Sequence, residues 1–413
     1  MDIVGLSRGH YLQLSLQDPD LFITLALSGR MVHENSDAIS NMELTSTAIR
    51  RFTQLLKLYA APSPPPYTAP PASKEELEYA DLAIIDLSKA KTLAGRKALA
   101  AEVVNAMASH GFFYVINHGY TQQQTTRVFS IANLTFDDVD DEEKKVYTGQ
   151  SGTVYEGYKP RQTWNIQDGV QDQIEHYNIN RNVRKREHPQ ALRPYLREIE
   201  AFARHNHFNV LHPILRLLAL GLELPEDALV NQHKFKAVGE TSASRAPKKK
   251  NSVQSRSGSK GTQAYIGSVT ILWSQPIGGL QILSPDGSWR WVRHMDNALV
   301  INAGDVLTFL CGGFYPATRH RVVQPPADQV GLPRLGVFYF SMANDDVKLV
   351  PHENSPVLQR VGIQRLCRDE DAPTMEEWRK NRTVAYGSSQ LTAGQEKGVE
   401  EEIINGVVVK HYN

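Results

Sequence analysis

Gly267-Ser-Val-Thr-Ile-Leu-Trp-Ser-Gln-Pro-Ile-Gly-Gly-Leu-Gln-Ile-Leu283, followed by Ser284-Pro-Asp-Gly-Ser-Trp-Arg-Trp-Val292, decides the fold of this chain. Apolar runs of four to six residues alternate with turns built on Gly and Pro: Pro276-Ile-Gly-Gly279, Pro285-Asp-Gly287, Ala303-Gly304 and Gly312-Gly313. Read outward to Phe340, the pattern predicts short strands at Ser268–Trp273, Leu280–Leu283, Trp289–His294, Ala298–Asn302, Asp305–Leu310, Arg319–Val323 and Arg334–Phe340. Strands this short and evenly spaced point to an antiparallel sandwich or barrel.

The composition narrows the class. Of the 413 residues, 41% are apolar, as in ordinary globular chains. Lys and Arg together number 45 and so do Asp and Glu, so no bulk field draws the chain to nucleic acid or to a membrane. Cys311 and Cys367 cannot form a disulfide framework, which favours a reducing compartment, and a cytoplasmic location is expected. No apolar run approaches a membrane span, and no basic stretch leads into an apolar one at the N-terminus, so no secretory signal is expected.

Before the strands, the chain reads as extension, linker and helical region. Residues 1–62 carry some apolar pattern (Leu12, Leu14, Leu16 and Leu21–Leu27) and a short helix at Ile49–Tyr59. They read as a loosely attached extension, a wrong start site or a docking segment. Ala61-Pro-Ser-Pro-Pro-Pro-Tyr67 is a stiff linker by composition. A strand at Leu82–Leu87 precedes a helix at 94–110 with Leu99, Val103, Val104 and Met107 on one face, and then Gly111-Phe-Phe-Tyr-Val-Ile-Asn-His-Gly119, a strand ending in a turn. Leu192–Leu222 predicts one long amphipathic helix, and Thr374–Trp378 a helix start.

Taken with "HGFFYVINHGY" at 110–120, the stretches "SVTILWSQPIGGLQILSPDGSWRWV", "NALVINAGDVLTFLCGGFYPATRHRVVQPP" and "RLGVFYF" resemble the isopenicillin N synthase-like iron(II)/2-oxoglutarate oxygenases, in particular their fungal branch. The resemblance runs from about Tyr67 to the C-terminus with one segment excluded. It implies a mainly β protein with flanking α elements: a double-stranded β-helix (jelly-roll) core and an N-terminal helical layer. The expected organisation is an extension and linker at 1–66, a helical oxygenase region at 67–240, the β-helix core at 241–345 and a helical tail at 346–413. His110 and His118 are expected to be structural, and His205, His207 and His212 to belong to a helix covering the barrel.

The resemblance further implies Fe(II), held by two histidines and a carboxylate, and 2-oxoglutarate, anchored by an arginine. Imidazole nitrogen and carboxylate oxygen suit iron, and three ligands on one face leave the other positions open. Arginine suits the co-substrate because its planar fork meets a carboxylate at two points. His320 takes the position of the second ligand histidine, and Arg334 that of the anchoring arginine. Gly336 stands where the family usually has a serine, so one hydroxyl donor is missing. The His-x-Asp pair is absent, its positions falling on Gln263 and Tyr265, neither of them a competent ligand. Residues 241–262 contain no Asp, Glu or His to replace it.

Thr241–Thr262 is rich in Ser, Lys and Gly and lacks periodicity, so the strand expected there reads as lost. A disordered loop or a basic patch is the plainer reading of the segment, although no interleaved aromatics support nucleic-acid binding. Read from each third base, the ambiguous codons of Ser244–Lys250 permit Pro-Arg-Ser-Glu-Glu-Glu, and those of Gly258–Gln263 permit Leu-Lys-Gly-His-Thr; both resemble what fungal relatives carry. Two function classes follow: an iron(II)/2-oxoglutarate oxidoreductase acting on a small organic molecule in fungal specialised metabolism or catabolism, or an impaired relative that partners an active paralogous oxygenase. An unrelated β-barrel binding protein is the third reading. Transcript sequence across codons 240–267 tests the out-of-frame account. That account predicts a spliced message encoding a His-x-Asp pair just before Ile266, and an in-frame message matching the given protein contradicts it.

Overall fold

The computed structural model describes residues 61–149, 156–161, 174–235, 266–385 and 399–412, together with short strands at 11–14, 23–26, 165–167, 170–171, 240–246 and 392–393. The expected helix at Ile49–Tyr59 lies outside the described residues, as do Gln263 and Tyr265. The chain divides into two compact units, Met1–Pro62 and Ser63–Asn413. In the first, β1 (Tyr11–Leu14) pairs antiparallel with β2 (Ile23–Ala26).

The second unit runs β3 (Ile84–Asp86), α1 (Leu93–Ser109), β4 (Phe112–Ile116), α2 (Gln122–Asp137), α3 (Asp141–Val146), β5 (Gly157–Lys159), β6 (Asn165–Gln167), β7 (Val170–Gln171) and β8 (Glu175–Asn180). It continues with α4 (Leu196–His205), α5 (His212–Gly221), β9 (Glu240–Ala246), β10 (Val269–Trp273), β11 (Leu280–Leu283), β12 (Trp289–Trp291) and β13 (Leu299–Ala303). Then come α6 (Asp305–Leu310), β14 (His320–Val322), β15 (Arg334–Phe340), α7 (Pro356–Val361), α8 (Met375–Ala385), β16 (Thr392–Ala393), β17 (Val399–Ile404) and β18 (Val407–Tyr412). One sheet has the order β3-β4-β13-β10-β15-β9-β8-β5 and a second the order β12-β11-β14. Every pairing in them is antiparallel except β3 with β4.

Period-two alternation builds the core. On β10, Leu272 faces the second sheet and meets Phe112, Tyr114 and Val300 from its own sheet and Leu280 and Ile282 from the other. The alternate residues, Ile271 and Trp273, are fully buried on the opposite face under the helical layer, where the Trp273 indole N–H donates to Asn206 Oδ1 at 3.0 Å. α1 buries Leu99, Val103, Ala106 and Met107 at helical spacing and packs on α5. His118, expected to be structural, accordingly hydrogen-bonds the Asn297 carbonyl through Nε2 at 3.0 Å.

Four expectations are corrected. The helix predicted over Leu192–Leu222 is present but broken into a 3-10 turn, α4, a π-turn at Asn206–Leu211 and α5. Pro213 lacks an N–H and its ring crowds the carbonyl a turn back, so the helix widens there and His212 N–H bonds the His207 carbonyl. Asp305–Leu310 is a helix rather than a strand: Gly304 is extended at its N-cap, Asp305 sits in its first turn, and Gly312 and Gly313 leave it at positive φ. A strand does form at Glu240–Ala246, where β15 and β8 supply backbone ladders on both sides, so apolar side chains were not required. The tail expected to be helical carries α8 and then a three-stranded sheet, β16-β17-β18, with Asn405-Gly406 at the last turn. Arg382, 3% exposed, ties this tail to the barrel through Glu402 Oε1 at 3.0 Å and Asp305 Oδ2 at 3.4 Å.

Three buried histidines under the large sheet make the fold acid-sensitive. Burial lowers the pKa of His205 to about 3 and of His233 to about 4, and burial reinforced by the nearby Arg181 guanidinium lowers that of His207 to about 2. Each unfolds to a group titrating near 6.5, so below that pH the unfolded chain binds more protons and stability falls. The melting temperature of the protein is expected to be flat above pH 7 and to drop by several degrees between pH 6.5 and 5; a flat profile over that range contradicts these environments.

Candidate functional site

Arg334 opens β15, and its side chain turns into a pocket between the two sheets whose lining includes Leu272, Ser274, Gly279, Leu280 and Val300. Its Nε donates to the Ile277 carbonyl at 3.3 Å, and its terminal nitrogens meet no protein carboxylate among the described residues. The guanidinium is enclosed by neighbouring atoms, with part of its surface open to the pocket. Desolvation lowers its pKa to about 10 and leaves it charged at neutral pH. The loop beneath it is fixed: Gln329 accepts from Gly278 N–H at 2.8 Å and donates to the carbonyls of Pro276 and Pro71 at 3.0 and 2.8 Å. Gly279, at φ 152°, lies against the arginine, and a Cβ there would come within 3.2 Å of Arg334 Nε. A buried cation with an unfilled fork suits a carboxylate.

His320 lies on β14 opposite Ile282, and its ring meets the edge of Phe112 at 5.5 Å between centroids. Both partners belong to the core between the sheets, so the imidazole faces the same space as Arg334. Nδ1 lies 3.0 Å from the Thr318 carbonyl, which leaves Nε2 without a hydrogen-bond partner among the described residues. Burial lowers its pKa and keeps it neutral, the state in which imidazole ligates a metal. Gly336 follows Arg334 by one pleat on the same face of β15. The structure thus brings His320, Arg334 and Gly336 to one interior. An iron centre does not fit the donors present. His320 is the one competent ligand of the expected three, the sequence supplies Gln263 and Tyr265 for the others, and among the described residues no three His, Cys, Asp or Glu side chains converge.

The sequence reading missed a polar chain at the pocket edge. Ser274 Oγ lies 2.8 Å from His294 Nδ1 and 3.2 Å from Met295 N–H, and His294 Nε2 lies 3.0 Å from Asp296 Oδ1. Desolvation lowers the His294 pKa, against the opposing pull of Asp296. Ser274 and His294 line the same pocket as Arg334. The one local signal was a hydroxyl closing the apolar run of β10; its partner lies 20 residues on and meets it only in the fold.

Residues 82–198 match the family described as the non-haem dioxygenase in morphine synthesis N-terminal region, and residues 230–343 match the 2OG-Fe(II) oxygenase superfamily. Among curated relatives, a 2-oxoglutarate-Fe(II) type oxidoreductase, ppzC, of Metarhizium majus is 26% identical over 58% of this chain and 73% of its own length. A 2-oxoglutarate-dependent dioxygenase, frbH, of Dothideomycetidae sp. is 32% identical over 45% of this chain and 55% of its own. A full-length Neurospora crassa protein crystallised in complex with alpha-KG shares the fold with a TM-score of 0.65 at 20% identity, covering 77% of this chain and all of that one. A dioxygenase for auxin oxidation from rice does so with a TM-score of 0.58 at 19% identity, over 80% of this chain and all of that one. The two family matches abut the barrel that carries Arg334 and His320 and together span more than half of the sequence, and the chain belongs to the 2OG-Fe(II) oxygenase superfamily, of the fungal type.

Proposed function

We propose that this chain binds 2-oxoglutarate through Arg334, in an oxidoreductase site for a small organic molecule of fungal specialised metabolism or catabolism. The observation that carries the reading is the enclosed Arg334 guanidinium, which has no carboxylate partner among the described residues. A dicarboxylate supplies the missing anion, and the hydrogen bonds that fix Gln329 and the loop beneath Arg334 hold the fork in place for it. His320 is the one remaining metal ligand of the site, through Nε2. Because Gln263 and Tyr265 provide no further ligands, the dicarboxylate half of the site is complete and the metal half is not.

That asymmetry also favours a second reading. A chain that keeps the fold and the dicarboxylate arm but holds iron weakly would serve as the structural partner of an active paralogous oxygenase. Among the described residues no helix is long and apolar enough to cross a membrane.

Two measurements test the proposal. Calorimetric titration of the full chain with 2-oxoglutarate should show saturable binding that Arg334→Met weakens on the order of a hundredfold. Gly279→Ala, which pushes a methyl group at the arginine stem from a backbone angle alanine tolerates poorly, should weaken it about tenfold. Binding indifferent to Arg334→Met contradicts the assignment. Fe(II) titration separates the two readings. The given chain should bind iron weakly, and Gln263→His with Tyr265→Asp should create tight one-to-one binding together with succinate release from 2-oxoglutarate. Tight iron binding by the unaltered chain would show that its ligands lie elsewhere.

A further inference from the structure

We propose that Ser274 supplies the hydroxyl that Gly336 lacks, so that the carboxylate held by Arg334 is bound from two strands instead of one; the inference rests on the dicarboxylate reading of Arg334 given above.

The register of the sheet places the two positions side by side. In the β10–β15 ladder Leu272 pairs with Phe338 and Trp273 with Val337, so the next step sets Ser274 beside Gly336. The Ser274 N–H still donates to the Ala298 carbonyl at 3.0 Å, which carries the sheet geometry through this residue. Facing residues of an antiparallel pair lie within about 5.5 Å between Cβ atoms, so a hydroxyl on β10 can reach the space left by a missing side chain on β15. Leu272 and Phe338 belong to the core between the sheets, so Ser274 and Gly336, one pleat further on, face the same interior as Arg334. Ser274 and Arg334 line one pocket.

The hydroxyl is oriented from behind. Its oxygen has two acceptor sites and one hydrogen. Met295 N–H at 3.2 Å fills one acceptor site, and His294 Nδ1, 2.8 Å away, fills the other when it carries a proton. The hydroxyl hydrogen is then left for the pocket. His294 is itself held by Asp296 Oδ1, 3.0 Å from Nε2, so both ring nitrogens donate in this arrangement, one to Ser274 and one to Asp296. Asp296 stands mostly in solvent and Ser274 inside, so the chain runs from surface to pocket. Ser274 is a binding residue in this account and His294 a positioning one.

The test is a rescue across the sheet, read as the dissociation constant of the full chain for 2-oxoglutarate by calorimetry. Ser274→Ala should weaken binding about tenfold, the loss of one hydrogen bond to a charged group. Adding Gly336→Ser to the Ser274→Ala chain should restore the affinity to within about threefold of the original, a recovery that a merely structural role for Ser274 would not give. If Arg334→Met abolishes binding while Ser274→Ala changes nothing, or while Gly336→Ser fails to restore it, the inference is overturned and the dicarboxylate reading stands. If Arg334→Met leaves binding unchanged, or the unaltered chain does not bind 2-oxoglutarate, the reading itself fails and this inference fails with it.

Discussion

A guanidinium enclosed at the head of β15 is the constraint around which the site is arranged. Removing such a cation from water costs several kcal/mol unless an anion and hydrogen bonds repay it. Protein repayment at Arg334 is small: one bond to the Ile277 carbonyl, at the long end of the normal range. The fold nonetheless invests in holding it there, with Gln329 bracing the loop beneath and a glycine giving room to its stem. An arginine kept charged, enclosed and short of partners is a binding group in waiting, and its planar fork selects carboxylate.

The sheet explains how such a group can sit between two apolar layers. β10 pairs with β13 on one side and β15 on the other, all antiparallel, and each strand gives one face to the inter-sheet core and the other to the helical layer. The core narrows around Phe112, Leu272, Ile282 and Val300, and the polar groups gather where β10 and β15 reach its edge. His320, braced by Thr318 and packed against Phe112, faces the same interior from the second sheet. The architecture of an iron(II)/2-oxoglutarate oxygenase is therefore present around a site whose metal half has one ligand of three.

Much of this was legible in the letters. β11 and β15 fall at the residues read from the turns, because Gly and Pro punctuate short apolar runs whose alternation fixes the inward face. The approach of His320 and Arg334 to one interior was legible from family resemblance, and their packing agrees with it. What escaped has specific causes. Asp305–Leu310 is too short for its apolar residues to separate a strand from a helix, and the glycines at either end settle it. Glu240–Ala246 has no apolar signature, because a strand paired on both sides is held by its backbone. The β17–β18 hairpin was announced by Asn405-Gly406, both residues at positive φ, a turn signal the reading passed over. The Ser274, His294 and Asp296 chain joins residues from two elements that only the closed barrel brings together.

The account stands or falls on what the Arg334 fork holds. A crystal structure of the full chain grown with 2-oxoglutarate tests this directly. The account predicts one carboxylate of the ligand in two-point contact with Arg334, with Ser274 Oγ within hydrogen-bond distance of it. A ligand bound elsewhere, or a protein carboxylate already paired with Arg334, would contradict it.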